Sequence, residues 1–148
     1  MQDQRILKIG ILEGDDIGPE VVPECVKVMR AAAQASGLAI DWRPLPIGRR
    51  AYEELGNSIP PGTLEALDHF DGWLLGPIGH RAYPKVDACR NPHPVLRRHF
   101  DLFANIKPSK SYPNLPSLHK DVDLVFVREV LEGMQPDRNT FAGGGEFR

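Results

Sequence analysis

The sequence predicts an α/β fold, and three features carry that prediction. A β-branched apolar run, Ile6 to Leu12, leads into a turn containing Gly and Asp and then to Pro19, a residue suited to the first turn of a helix. Val22, Cys25, Val26, Met29, Ala32 and Ala33 then recur at helical spacing. Strand and helix signals go on alternating along the chain, as they do where helices cover a sheet.

Each element follows in order. The first strand spans 6–12, and its helix runs over about 19–36, stopped by Gly37. A second strand is predicted over Leu38 to Leu45, where Leu38, Ile40 and Trp42 share one face and Asp41 and Arg43 the other. Ser58-Ile-Pro-Pro-Gly62 is a break, and Thr63 is the expected cap of a short helix ending near Phe70. Asp71 to Gly76 reads as a strand entering a glycine loop. The proline-rich stretch from Gly76 to Pro94 predicts a long irregular loop, a class that is usually functional or mobile. A helical turn over Val95 to His99 precedes a strand over Asp101 to Lys107, with Leu102, Ala104 and Ile106 on one face and Asn105 and Lys107 on the other. Val122 to Val127 is apolar on both faces, the pattern of a buried strand.

Composition narrows the function. The 148 residues amount to about one domain, 41% of them are apolar, and 18 Lys plus Arg against 20 Asp plus Glu give a net charge of −2. No global field draws such a chain to nucleic acid or to an anionic membrane, so a bound anion must meet a local cluster of cations. No apolar run reaches the roughly 18 residues of a membrane span, and the first residues lack a signal-peptide core, so a cytoplasmic setting is expected. Cys25 and Cys89 stand in no disulfide or zinc spacing. The spacing of His80, Asp87, Cys89 and His93 likewise matches no metal site.

Gly14 and Gly18 fit neither the dinucleotide fingerprint of a Rossmann fold nor a Walker loop, and Asp15 and Asp16 would repel a phosphate placed there. Cations stand elsewhere. Lys107 and Arg128 fall at the carboxyl ends of predicted strands, where open α/β sheets gather ligands, and Arg97 precedes the first of those strands. Three converging cations suit a substrate with two or more carboxylates.

Four segments in order carry a family resemblance: Ile11-Leu-Glu-Gly-Asp-Asp-Ile-Gly-Pro-Glu-Val-Val22, Leu75-Gly-Pro-Ile-Gly79, Leu96-Arg-Arg-His-Phe-Asp-Leu-Phe-Ala-Asn-Ile-Lys-Pro108 and Val127-Arg-Glu-Val-Leu-Glu-Gly133. The chain resembles the N-terminal part of the isocitrate and isopropylmalate dehydrogenases, the metal- and NAD(P)-dependent β-decarboxylating enzymes. The resemblance implies that family's fold, in incomplete form. It also implies oxidation of a 2-hydroxy acid with a neighbouring carboxylate, hydride transfer to NAD or NADP, and loss of carbon dioxide while Mg2+ or Mn2+ polarises the new carbonyl. By similarity Arg97, Lys107 and Arg128 hold the carboxylates of a di- or tricarboxylate. Asn91 and His93 sit on the loop that reads the substrate's distinguishing group. Ile78, Gly79 and Asn105 face the cofactor, and the loops Asp15 to Gly18 and Gly76 to Gly79 resemble those on the cofactor side.

The resemblance further implies that residues 1–100 begin a first domain and 101–148 a second. Relatives are considerably longer, so the catalytic residues and metal ligands are expected outside this chain, which is expected to be inactive alone. A homodimer is the family expectation for the complete protein. Three positions depart from the family. Lys107 replaces a usual Arg, giving a compact charge in place of a fork. Asp16 replaces a usual Gly, a modest change if the backbone there is not left-handed. Gln135 stands where a catalytic Tyr is expected, and glutamine cannot act as a general acid. Lys107 and Gln135 keep open a second reading, a non-catalytic carboxylate-binding or regulatory module.

Overall fold

The computed structural model describes residues 5–132. The chain separates into two compact units, Met1–His93 and Pro94–Arg148.

The first unit is built on a parallel three-stranded sheet in the order β2-β1-β3, formed by Ile6–Leu12 (β1), Ala39–Pro44 (β2) and Gly72–Leu75 (β3). Ile9 lies opposite Trp42 on one side and Gly72 on the other, which fixes the register of both pairs. Helix α1, Gly18–Ala35, connects β1 to β2, and α2 (Gly48–Leu55) and α3 (Pro61–Leu67) connect β2 to β3. Leu12 of β1 and Leu67 of α3 are fully buried, with Val22 of α1 close behind. The first strand, its helix and the second strand thus form as the apolar periodicity predicts.

Helix α1 stops for a stereochemical reason. Gly37 adopts φ +69°, its N–H donates to the Gln34 carbonyl at 3.2 Å, and the Leu38 N–H donates to the Ala33 carbonyl at 2.9 Å. This pair of bonds satisfies carbonyls that the helix end leaves bare, and it needs a left-handed residue that glycine adopts without strain.

Three expectations for this unit change. Helix α2 falls in a stretch that gave no helix signal, because Ile47 at its N-cap makes no side-chain cap bond. Thr63 is not a cap: α3 begins at Pro61, and the 2% exposed Thr63 hydroxyl donates to the Pro46 carbonyl at 2.8 Å. The stretch from Gly76 to Pro94 is ordered, with 3-10 turns at His80–Ala82 and Asp87–Cys89 and the start of helix α4 (Pro92–His99). Ser58 fastens it, donating its amide to the Ala88 carbonyl at 2.9 Å and its hydroxyl to the Arg90 carbonyl at 2.7 Å.

The turn after β1 carries one strained residue. Asp16 has φ +53°, so a left-handed backbone is present here with a side chain on it.

In the second unit, Ala104–Lys110 (β4) and Asp123–Glu129 (β5) form an antiparallel two-stranded ribbon. The predicted strand over 101–107 therefore begins later and runs through Pro108. The expectation of a buried final strand is overturned. Val125, Phe126 and Val127 are 57%, 59% and 69% exposed, and among the described residues β4 alone pairs with β5. The apolar character on both faces is real, but only one strand meets it.

Two substitutions test this description. Thr63→Val keeps the shape but removes the donor from the buried Thr63 side chain to the Pro46 carbonyl, and equilibrium denaturation should show a loss of about 1 kcal/mol. Asp16→Gly relieves the left-handed strain against a larger unfolded-state entropy, and the same measurement should show a gain of about 0.5–1 kcal/mol.

Candidate functional site

In the first unit β1 is central, and the chain passes to β2 on one side and to β3 on the other. The carboxyl ends of β1 and β3 therefore flank the point where the winding reverses, the usual place for a ligand in such a sheet. The loops 13–18 and 76–79 meet there. The Asp15 N–H donates to the Pro77 carbonyl at 2.7 Å and the Gly76 N–H to the Leu12 carbonyl at 2.8 Å. A Cβ on Gly14 would collide with the Pro77 carbonyl and one on Gly76 with the Glu13 carbonyl, so both glycines are required by the closeness of the two backbones.

The Asp15 carboxylate, 5% exposed, lies beneath this junction. Its Oδ1 accepts from the Arg49 N–H at 2.7 Å, and its Oδ2 accepts from the Gly79 N–H at 2.9 Å and from the Tyr83 hydroxyl at 2.5 Å. One side chain thereby caps α2 from a distance, where a negative charge suits the helix dipole, and ties down the loop after β3. Burial, with the Asp15 hydrogen bond and charge behind it, pushes the Tyr83 phenol far above its ordinary range, so it stays a donor. Burial followed by the Asp15 charge also pushes the neighbouring Cys89 thiol up, which keeps it unreactive.

Ile78 and Gly79 sit on this tied loop. The Gly79 amide is already given to Asp15, and the Asp16 carboxylate crowds the space beside Gly79. No phosphate is cradled here. Half-buried Ile78 and exposed Pro77 form an apolar edge of this loop. A cleft of about 510 Å³ opens between the turn after β1 and α2, lined by Glu13, Asp16, Arg49, Arg50, Glu53 and Glu54 among others. Arg49 lies 3.8 Å from Asp16, and Arg50 pairs with Glu54 at 2.7 Å. With its acids outnumbering its cations, this cleft does not suit a polycarboxylate.

Asn91 and His93 lie at the start of α4. The Asn91 side-chain oxygen accepts from the His93 N–H at 3.1 Å, a helix cap that commits that oxygen. Among the described residues no three His, Cys, Asp or Glu side chains are grouped to hold a metal.

The second unit brings two of the three predicted cations, Lys107 and Arg128, together by strand register. Asn105 lies opposite Arg128 and Lys107 opposite Phe126. Opposed residues of an antiparallel pair share a face, and so do residues two apart, which puts Asn105, Lys107 and Arg128 on one side of the ribbon. Lys107 and Arg128 are diagonal neighbours, their Cβ atoms roughly 7 Å apart. This corrects the strand-end argument. Lys107 is in the middle of β4 and the ribbon is antiparallel, so side-chain alternation and not a row of carboxyl ends collects the charges. Lys110 pairs with Asp123 at 2.9 Å on the opposite face. Arg97, on α4 in this unit, accepts the Leu102 N–H on its carbonyl at 2.9 Å. Gln135 lies outside the described residues.

Sequence reasoning missed Asp15 as the central group of the first unit. Its donors stand 34, 64 and 68 residues away, and no local pattern announces them.

Comparison with known proteins accounts for the arrangement. The model of the isocitrate/isopropylmalate dehydrogenase family matches residues 8–144. The chain is 35% identical over 134 residues to 3-isopropylmalate dehydrogenase of Thiobacillus denitrificans, covering 84% of this chain and 38% of that protein. It is 34% identical over 138 residues to the 3-isopropylmalate dehydrogenase of Moorella thermoacetica, covering 86% of this chain and 39% of that protein. The crystal structure of isocitrate dehydrogenase from Methylococcus capsulatus superposes with a TM-score of 0.74 at 31% identity, over 93% of this chain and 38% of that one. This chain, spanning a minor part of its relatives' length and sharing their fold over that part, belongs to the isocitrate/isopropylmalate dehydrogenase family.

Proposed function

We propose that this chain supplies the carboxylate-gripping part of an NAD(P)-dependent dehydrogenase that oxidatively decarboxylates a 2-hydroxy acid bearing a neighbouring carboxylate. Supporting the reading, beyond family membership, is the β4–β5 register that sets Asn105, Lys107 and Arg128 on one face. A guanidinium and an ammonium on long side chains that rise from diagonal positions of one face can both reach the two carboxylates of a small dicarboxylate. Arg97 is the third cation of the set. Asn91 and His93 are proposed to meet the substrate's distinguishing group, and Ile78, Gly79 and Asn105 the nicotinamide side of NAD or NADP. That cofactor supplies the hydride acceptor.

The Mg2+ or Mn2+ that this reaction class uses is proposed to be held by residues beyond the described ones. What the described residues do is hold anionic groups. Lys107 does so as a point charge with three donors, and Arg128 as a planar fork that fixes the orientation of one carboxylate. We assign residues 1–100 to the first part of one α/β domain and 101–148 to the start of another, a boundary that keeps α4 whole where the compact units divide after His93. The complete protein is proposed to be a cytoplasmic homodimer.

A second reading, a carboxylate-binding or regulatory module without turnover, is favoured by Lys107 and by Gln135 in place of an expected Tyr. Both readings require carboxylate binding, and turnover separates them.

Calorimetric titration of the chain with isocitrate and with 3-isopropylmalate tests the common part. One of the two acids should bind. Arg128→Gln should weaken that acid about 10- to 100-fold, and Lys107→Arg should tighten it by restoring a fork. Equal affinity in the Arg128→Gln variant, or no binding of either acid, contradicts the proposal.

A further inference from the structure

Within the first unit, the loop 76–79 has few ways to hold its shape by itself. It leaves β3 after Leu75, and its backbone bonds to the neighbouring loop fix only its beginning, at Gly76 and Pro77. Its far end is fixed at Gly79, whose N–H reaches the buried Asp15 carboxylate at 2.9 Å. The same oxygen is held by the Tyr83 hydroxyl at 2.5 Å. Tyr83 is 8% exposed, and its own N–H donates to the His80 carbonyl at 3.1 Å, so the residue is held at its backbone as well as at its hydroxyl. Asp15 is itself oriented by the Arg49 N–H at 2.7 Å. The oxygen that receives Gly79 is therefore located by two donors from separate elements.

We propose that Asp15 and Tyr83 are positioning residues: together they set the conformation of Pro77–Gly79 and with it the affinity for the nicotinamide end of the cofactor. This rests on the reading that Ile78 and Gly79 face that cofactor. Neither side chain touches the ligand. Asp15 acts through the Gly79 amide, and Tyr83 acts through Asp15. Geometry distinguishes this arrangement from a purely structural buried pair, because the acceptor oxygen is shared between the phenol and the loop amide.

The test uses the whole chain with NADH as the probe. Amide NMR signals of Ile78 and Gly79 report the loop, and a titration of the same signals gives the NADH dissociation constant. Tyr83→Phe should shift both loop amides and weaken NADH about fivefold, the net worth of one hydrogen bond. Affinity for the carboxylate ligand should stay unchanged. Asp15→Asn keeps an oxygen for Arg49 but turns an NH2 toward Gly79, and it should weaken NADH further. Should Asp15→Asn fail to fold, the Tyr83→Phe result decides.

Unchanged loop amides in Tyr83→Phe, or changed amides with unchanged NADH affinity, overturn the positioning role. Equal losses of NADH and carboxylate affinity also overturn it, since general destabilisation would do that. If NADH leaves Ile78 and Gly79 of the unaltered chain unperturbed, the cofactor reading itself fails, and that outcome is separate from the others.

Discussion

One buried carboxylate organises the first unit. Asp15 lies at the end of the first strand and receives hydrogen bonds from the second helix, from the loop after the third strand and from Tyr83. A lone ionised group in that position would be costly, and three donors make it tolerable. The glycines on either side follow from the same constraint. Asp15 can reach Gly79 only if the two loops lie nearly backbone to backbone, which excludes a Cβ at Gly14 or Gly76. The left-handed Asp16 is the next residue on this turn and carries the strain of it.

The second unit works by a different rule. Its two strands have no shared buried carboxylate, and their described faces are open. What they provide is alternation: each second residue of β4 and its opposite number on β5 point the same way, so two cations and an amide gather on one side. The opposite side carries Ile106, Val125 and Val127, an exposed apolar row. The family match over residues 8–144 spans both units.

How much of this was legible in the sequence differs by element. The first strand, helix α1 and the second strand were readable because their signals are local: an apolar run, a 3.6-residue period and a terminal glycine. Helix α2 was not, because its capping carboxylate belongs to residue 15 and the adjoining Ile47 offers no cap. Thr63 looked like a cap because of its residue type, but its hydroxyl is spent on a carbonyl 17 residues away. The loop after Gly76 looked irregular because its order comes from Ser58 and Tyr83, neither of which forms a pattern with its neighbours. For the site, the cations were legible as residues and through the family motif, whereas their common face needed the register of β4 against β5. The strand-end argument reached Lys107 and Arg128 by the wrong geometry, since it assumed a parallel sheet.

The most direct test of the Asp15 constraint is hydrogen exchange at the amides of Arg49 and Gly79 in the unaltered chain. If one buried carboxylate holds both, the two amides should exchange only when the first unit opens as a whole, at rates matching the β1 amides. Exchange at the rate of exposed loops, with β1 still protected, would contradict the account.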